Sequence, residues 1–296
     1  MSAAPTLGIA GVGLIGASIG LRAMATGTTV VGWDPDPAHL AAARIRGAIS
    51  SEASDFAALA HRVDTLVLAA PLDATLELLR AIVARPPRGS LILDVASVKV
   101  PIADVGRALP TFVATHPIAG SERSGPEAAD AALFVDRVWT YDAAAPPSLA
   151  ARVRAFIVAM GAHPMAIDSR EHDRIVALTS HLPQVVAVAL GARLGEYVDE
   201  PCVAALCGTG MGSMLRLGSS PWHVWRAILS ANGKPVAQEV RALANVLFSL
   251  AENLDAGCVE ELAPIFAASA DAVARLSANG SPSTRVPLGR HVSDER

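Results

Sequence analysis

A glycine-rich turn between a strand and a helix constrains the fold of this chain more than any other feature. Residues 11–16 read Gly-Val-Gly-Leu-Ile-Gly, directly after the apolar run Thr6–Ala10 and at the start of the helical pattern Leu14–Ala25. In this setting the first glycine permits a tight turn and the second lets a phosphate approach the backbone, while the third lets the helix pack on the strand. The pattern predicts a βαβ unit that binds a dinucleotide.

An acidic residue after the second predicted strand indicates which dinucleotide is bound. Asp34 lies about 20 residues beyond the glycines, where a carboxylate accepts hydrogen bonds from both ribose hydroxyls. It would repel a 2′-phosphate, and the next residues, Pro35-Asp36-Pro37, provide no arginine, so the sequence favours NAD over NADP. Pro71 ends the third strand, where it either lines the nicotinamide side or only terminates the strand. The predicted cofactor contacts are Gly11, Gly13, Leu14, Ile15, Gly16, Asp34 and Pro71.

Strand and helix patterns alternate in the first part of the chain, which predicts a doubly wound sheet, parallel in its first strands. The predicted strands are Thr6–Ala10, Thr28–Gly32, Asp64–Ala70, Ser90–Asp94, Thr111–Thr115, Val138–Asp142 and Ala162–Asp168. After Asp168 the strand patterns stop, and four long helices are predicted at Arg170–Tyr197, Pro221–Ser230, Val236–Asp255 and Cys258–Ser277. We therefore predict an α/β protein with a Rossmann-type domain over 1–168, an all-α domain over 169–280 and a loosely held tail over 281–296.

Composition excludes several classes of function. The formal net charge of -4 provides no basic stripe for a nucleic acid. Three cysteines, without a CxxC pair, predict neither a disulfide framework nor a zinc site, and they fit a reducing cytoplasm. His172 and His181 are nine residues apart, so no helical metal-binding pair is expected. The first basic residue is Arg22, so we expect no secretory signal.

One uncharged stretch, Ile175–Ala192, approaches the length of a membrane span. It contains Ser180, His181, Pro183 and Gln184, which are costly in lipid and useful in a site. The sequence therefore predicts the central helix of a buried bundle and no membrane contact.

Two polar segments follow predicted strands and carry candidate catalytic residues. Residues 94–99 read Asp-Val-Ala-Ser-Val-Lys, and residues 116–122 read His-Pro-Ile-Ala-Gly-Ser-Glu. Loops at the carboxyl edge of an open α/β sheet converge on the ligand crevice, so Gly13, Ser97 and His116 are expected around one cleft. His116 can take a proton from a substrate hydroxyl as hydride leaves the same carbon. Ser97 either holds the imidazole or binds the same hydroxyl.

Arg216 follows the glycine-rich segment 208–212, which is predicted to be a flexible loop. Arginine binds carboxylates through two parallel hydrogen bonds, so Arg216 is a candidate clamp for an acidic substrate. An ordinary surface arginine explains the same residue equally well.

The motifs together resemble the TyrA family, the prephenate and arogenate (cyclohexadienyl) dehydrogenases of tyrosine biosynthesis. The resemblance covers residues 6 to 280 in order and rests on GxGxxG, DVASVK, THPIAGSERSGPEAADAALF, HDRIVALTSHLP and RLGSSPWHVW. It implies an enzyme that oxidises a cyclohexadienol at C4, passes hydride to the nicotinamide and releases the ring carboxylate as carbon dioxide. It also implies a homodimer that forms through the helical domain.

The resemblance assigns roles to individual residues. His116 would deprotonate the C4 hydroxyl and Ser97 would orient it. The implied substrate contacts are Ser121, Glu122, His181, Gln184, Arg216 and Trp225. Gln184 stands where many bacterial members carry a histidine, and Ser213-Met214-Leu215 stands where many carry Asp-x-Thr. These departures leave the substrate side chain open between prephenate, arogenate and, more remotely, a 4-amino-4-deoxy analogue.

Other functions remain as alternatives. A β-hydroxyacid dehydrogenase has the same layout but uses a lysine in GxxxGxxxK, where this chain has Asp199. A pyrroline-carboxylate-type reductase explains the layout but not the HPIAGSE segment. A non-catalytic NAD-binding sensor is opposed by the joint presence of Ser97, His116 and Arg216.

We expect Asp34→Ala to relax discrimination against NADP, because the carboxylate that repels the 2′-phosphate is removed. The ratio of NAD to NADP affinities measures this effect. An unchanged ratio would refute the ribose assignment.

Overall fold

The computed structural model describes residues 5–121 and 123–279, so the predicted contact Glu122 and the predicted tail 281–296 lie outside it. By residue contacts the chain divides into two compact units, Met1–Val240 and Arg241–Arg296. The predicted domain border near residue 169 stays a prediction.

Six strands form a parallel sheet in the first unit. They are β1 Thr6–Ala10, β2 Thr29–Trp33, β3 Ser51–Glu52, β4 Thr65–Leu68, β5 Leu91–Asp94 and β6 Phe112–Val113. Their order is β3-β2-β1-β4-β5-β6, and all neighbouring pairs are parallel. The connecting helices are α1 Leu14–Ala25, α2 Pro37–Ile45, α3 Phe56–Ala60, α4 Leu72–Ala84 and α5 Val100–Gly106. The predicted Rossmann-type fold class is confirmed.

The sheet is buried on both faces, as the continuous apolar runs of its strands predict. In β4, Val67 belongs to one buried apolar cluster, whereas Leu66 and Leu68 belong to another. Successive side chains of a strand point to opposite faces, so the two clusters flank the sheet. The carboxyl ends of the strands stay free to carry a site.

The last predicted strands form a separate sheet, which the sequence does not predict. The predicted strand Thr111–Thr115 is split: β6 ends at Val113, and β7, Thr115–Pro117, joins another sheet. There β7 pairs antiparallel with β8 (Val138–Asp142), which pairs parallel with β9 (His163–Ile167). Helix α6, Pro147–Ala159, lies between β8 and β9 in the chain.

From Ser169 to Asn279 the described chain is helical, as predicted. Its elements are α7 Ser169–Val176, a π-helical turn Ala177–His181, α8 Leu182–Gly195, α9 Pro201–Leu206, α10 Thr209–Leu215, α11 Trp222–Asp255, a 3-10 turn Val259–Leu262 and α12 Ala263–Asn279. The segment 208–212 is not the predicted loop, because α10 begins at Thr209. The predicted helices 221–230 and 236–255 are one helix, kinked at Asn232, with Pro235 in the following turn.

One helical run within the described residues, Ser169–Gly195, is long and apolar enough to cross a membrane by length and composition alone. Core helices of soluble proteins pass the same test. Within a single chain, only 33% of the most apolar window of this run is buried. The prediction of a central helix in a buried bundle therefore does not hold for the single chain. Leu178 and Val188 remain exposed on it.

A buried ion pair links the two sheets. Asp94 at the end of β5 is fully buried, and it pairs with the ammonium of Lys99, which is 3% exposed. Asp94 also accepts a hydrogen bond from the backbone of Thr115 at 2.9 Å, and Lys99 donates to the Thr115 carbonyl at 2.7 Å. Because its N–H and C=O bind this pair, the chain leaves the first sheet at Thr115 and enters the second.

We expect Lys99→Met to lower the free energy of unfolding by about 3–5 kcal/mol, because it leaves the Asp94 carboxylate buried without its partner. Chemical denaturation measures the change. The only other lysine, Lys234, is exposed. Lys234→Met should change stability by less than about 0.5 kcal/mol, and equal losses in the two variants would contradict the prediction.

Candidate active site

The glycine-rich turn leaves an open space at Gly13 and none at the other two glycines, Gly11 and Gly16. Gly11 has φ +93°, and a Cβ there would lie 2.6 Å from the Ala69 carbonyl oxygen. A Cβ on Gly16 would lie 1.9 Å from the Gly11 carbonyl oxygen. A Cβ on Gly13 would have no heavy atom within 4 Å. The turn packs tightly on both sides of a gap through which a ligand can reach the backbone.

Helix α1 begins at this gap with its first backbone N–H groups directed toward it. No side chain caps the helix, and its first turn contains no acidic residue. Such a terminus favours an anion because its free N–H groups and the helix dipole act together. Gly13, Leu14 and Ile15 therefore fit the pyrophosphate of a dinucleotide.

Asp34 lies beside this turn at the carboxyl end of β2. Its carboxylate accepts hydrogen bonds from the backbone N–H groups of Val12 and Asp36, both at 2.9 Å. The Nδ1 atom of His39 lies 3.5 Å from the same carboxylate. Pro71 is exposed and precedes α4, after the neighbouring strand β4. The structure thus places both residues at the same sheet edge as the glycines.

His116 lies on β7 and begins a chain of three polar side chains. Its Nδ1 is 2.9 Å from Nε2 of His172, and Nδ1 of His172 is 2.8 Å from Oδ1 of Asp173. Asp173 also accepts the backbone N–H groups of Lys99 at 2.7 Å and Val100 at 2.8 Å. Desolvation lowers the pKa of His116 well below its ordinary value, and the nearby His172, Lys99 and His181 add to this effect. His116 is therefore neutral at neutral pH.

Ser97 is half-buried in the loop after β5, as expected. Within the part of the chain that the structure describes, its hydroxyl makes no hydrogen bond, and the partner of the His116 imidazole is His172 instead. The hydroxyl of Ser97 is thus free for a ligand.

A second buried histidine lies near the first. His181 is 1% exposed; its Nδ1 lies 3.2 Å from Nδ2 of Asn232, and its ring meets Trp225 edge-on at 5.8 Å. Burial lowers the pKa of His181 to about 4, against the opposing charge of Asp173. At neutral pH His181 is therefore a neutral imidazole, whose Nδ1 accepts and whose Nε2 donates.

Three other predicted substrate contacts make their hydrogen bonds elsewhere than to these histidines. Gln184 is buried, donates to the Leu217 carbonyl at 2.7 Å and accepts from the Ser220 hydroxyl at 3.2 Å. Arg216 is exposed at the end of α10, and Ser121 is exposed and accepts the backbone N–H of Arg123. Among the described residues, no hydrogen bond joins Gln184, Arg216 or Ser121 to the histidines.

Four residues that support His116 are not predicted from the sequence. Asp94 and Lys99 belong to the quoted DVASVK segment, and His172 and Asp173 belong to HDRIVALTSHLP, yet none is predicted as a site residue. An adjacent His-Asp pair at the start of the HDRIVALTSHLP segment is the signal that could have found the last two. No group of His, Cys, Asp and Glu side chains that could hold a metal occurs in the described ranges.

Comparison with protein families identifies the chain. The family model described as "Prephenate dehydrogenase, nucleotide-binding domain" matches residues 18–166, and "Prephenate dehydrogenase, dimerization domain" matches residues 168–268. The chain belongs to the prephenate dehydrogenase family. The resemblance stated from the sequence is confirmed, and so is the class of enzyme, a dehydrogenase.

Curated relatives agree with this membership. The probable prephenate dehydrogenase NovF of Streptomyces niveus is 33% identical over 254 residues, which cover 83% of this chain and 68% of that protein. The prephenate dehydrogenase of Lactococcus lactis is 30% identical over 233 residues, which cover 76% of this chain and 64% of that protein. About a third of each relative lies outside these alignments.

Solved structures share the fold. The prephenate dehydrogenase from A. aeolicus, in complex with hydroxyphenyl propionate and NAD+, matches with a TM-score of 0.84 and 23% identity over 92% of this chain and 98% of that chain. Arogenate dehydrogenase from Synechocystis matches with a TM-score of 0.78 and 22% identity over 91% and 99%.

The glycine turn allows a matched pair of substitutions. Gly13→Ala should weaken NAD binding about tenfold or more, since its methyl fills the gap, while the free energy of unfolding changes by less than about 1 kcal/mol. Gly16→Ala should lower the free energy of unfolding by about 1–3 kcal/mol, since its methyl meets the Gly11 carbonyl. Calorimetric titration with NAD and chemical denaturation separate the two effects. Unchanged NAD affinity in Gly13→Ala would contradict the assigned binding surface.

Proposed function

We propose that this protein oxidises prephenate, arogenate or both with NAD, releasing the ring carboxylate as carbon dioxide, in tyrosine biosynthesis. The observation that carries the proposal is His116, a neutral imidazole just beyond the carboxyl end of β6, with Nδ1 engaged by His172. Its Nε2 has no hydrogen bond within the described residues and is the atom that can take a proton.

NAD, when bound, supplies the acceptor for the hydride that leaves C4. The gap at Gly13 and the uncapped N-terminus of α1 would hold its pyrophosphate, and Asp34 would hold the adenosine ribose. Two backbone N–H groups already orient the Asp34 carboxylate. Because that carboxylate would repel a 2′-phosphate, we propose a preference for NAD over NADP.

His116 takes the proton from the C4 hydroxyl as the hydride leaves C4. Loss of carbon dioxide from C1 then leaves its electron pair in the ring, which becomes aromatic. The resulting phenolate oxygen takes the proton back from His116, so the protein neither gains nor loses a proton over the reaction. The free hydroxyl of Ser97 would bind the same substrate oxygen and orient it.

Hydrogen-bond donors around His116 and His181 would hold the acidic substrate. Neutral His181 presents an N–H from Nε2, because Nδ1 faces the Asn232 amide. Arg216 would bind a carboxylate, and Ser121, Glu122 and Trp225 would complete the substrate contacts. Gln184 would act through the loop that its amide holds at Leu217 and Ser220.

We propose that the protein is a cytoplasmic homodimer that forms through its helical part. The matched family description names a dimerization domain over residues 168–268. Large apolar side chains are exposed there, among them Leu178, Val188, Leu247, Phe248 and Phe266. All three cysteines are free thiols, which fits a reducing compartment.

NADH absorbance with prephenate and, separately, arogenate tests the activity. We expect turnover of at least one, and a loss of about 10²–10⁴-fold in His116→Asn with unchanged NAD affinity. The asparagine amide can still donate to His172 but cannot accept the proton.

His61→Asn is the matched control, because His61 is exposed and outside the site. It should retain wild-type turnover. Wild-type turnover in His116→Asn would remove the proposed base, and no turnover of either substrate despite NAD binding would favour the sensor.

A further inference from the structure

We infer that His172 and Asp173 are positioning residues that hold His116 in the tautomer a general base needs, with the proton on Nδ1 and the lone pair on Nε2. This inference rests on the proposed function, in which His116 is the base. It assigns a role to two side chains that the proposed function does not place against substrate or cofactor.

The chain of hydrogen bonds starts at Asp173, whose carboxylate has three donors around it. Oδ1 accepts from the backbone N–H of Lys99 and lies 2.8 Å from Nδ1 of His172, and Oδ2 accepts from the backbone N–H of Val100. Each of the two side-chain oxygens accepts a backbone N–H, so we assign Oδ1 as the acceptor toward His172 as well. Nδ1 of His172 must therefore carry the proton that it donates.

The tautomer of His172 then determines that of His116. A neutral His172 with its proton on Nδ1 has a lone pair on Nε2, so it can only accept at that atom. The 2.9 Å contact therefore requires His116 to donate from Nδ1. The lone pair of His116 is left on Nε2, where a substrate hydroxyl can reach it. The same logic operates when a buried carboxylate orients a catalytic histidine.

Packing keeps water away from the hydrogen bonds that join His116, His172 and Asp173. His172 is 1% and Asp173 is 4% exposed, and the rings of His116 and His172 meet edge-on at 5.1 Å. The backbone N–H of His172 donates to Asp168, and the Asp173 carbonyl accepts from Asn232. The two positioning residues are therefore held from both ends of the first helical turn of α7.

The hydrogen bonds from His116 through His172 to Asp173 do not serve to carry the proton away. In the proposed reaction the phenolate recovers the proton that His116 takes, so no proton has to reach solvent. What the reaction needs from His172 is a fixed acceptor for Nδ1. What it needs from Asp173 is a negative charge behind that acceptor while His116 is transiently an imidazolium.

Two substitutions at position 172 separate this role from a packing role. Leucine fills similar volume without a hydrogen bond, whereas the glutamine side-chain oxygen can accept from Nδ1 of His116. We expect His172→Leu to lower kcat about 10²-fold with little change in the KM for NAD. His172→Gln should retain at least about tenfold more activity than His172→Leu. Equal kcat in wild type and His172→Leu would overturn the inference.

A measurement without substrate tests the tautomer itself. Nitrogen-15 NMR distinguishes Nδ1–H from Nε2–H histidines, and His116→Asn identifies the signal of residue 116. We expect Nδ1–H in the wild type and a mixture of tautomers in His172→Leu. An Nε2–H form in the wild type would overturn the inference even if the leucine variant failed to fold. Nδ1–H in a protein that turns over neither prephenate nor arogenate would instead overturn the proposed function and leave the tautomer assignment in place.

Discussion

The arrangement of the site depends on the contacts of one buried residue, Lys99. Its ammonium pairs with Asp94 at the end of β5 and donates to the Thr115 carbonyl, next to His116. Its backbone N–H donates to Asp173, which follows His172. Burial raises the pKa of Asp94 and lowers that of Lys99, each opposed by the charge of the other, so neither ion is tolerated alone. One residue thus fixes the end of the first sheet, the start of the second and the first helix of the helical part.

This construction suits the role of base that we propose for His116, which has to be neutral between turnovers. Desolvation and neighbouring cationic or imidazole groups keep the pKa of His116 low, so the ring holds a lone pair at neutral pH. A low pKa also makes His116 a weak base. The hydrogen bonds through His172 to Asp173 offset this weakness, because they stabilise His116 when it takes the substrate proton. Because hydride transfer and aromatisation are chemistry of cofactor and substrate, the protein needs only to place one proton acceptor correctly.

Parts of the site follow from local pattern, and parts do not. Gly11, Gly13, Gly16 and Asp34 belong to one βαβ unit, so their spacing along the chain is enough to predict that they lie at one turn. His116 follows the end of a strand in a parallel sheet, so the sequence predicts that it lies near the carboxyl edge of that sheet. Its partner is 56 residues away in the chain, on the polar helix α7, where His172 is one of several charged or polar residues. No local rule brings these two segments together.

The sequence by itself determined the Rossmann-type sheet, the later helices and the family, because strand and helix periodicity and the glycine turn act over short stretches of chain. Only the tertiary structure decided that the strand after β5 breaks at Thr115, that Gln184 binds a neighbouring loop, and that His172 holds His116. Each of these depends on a hydrogen bond between distant residues, and a buried polar group takes whichever partner the completed fold puts within reach.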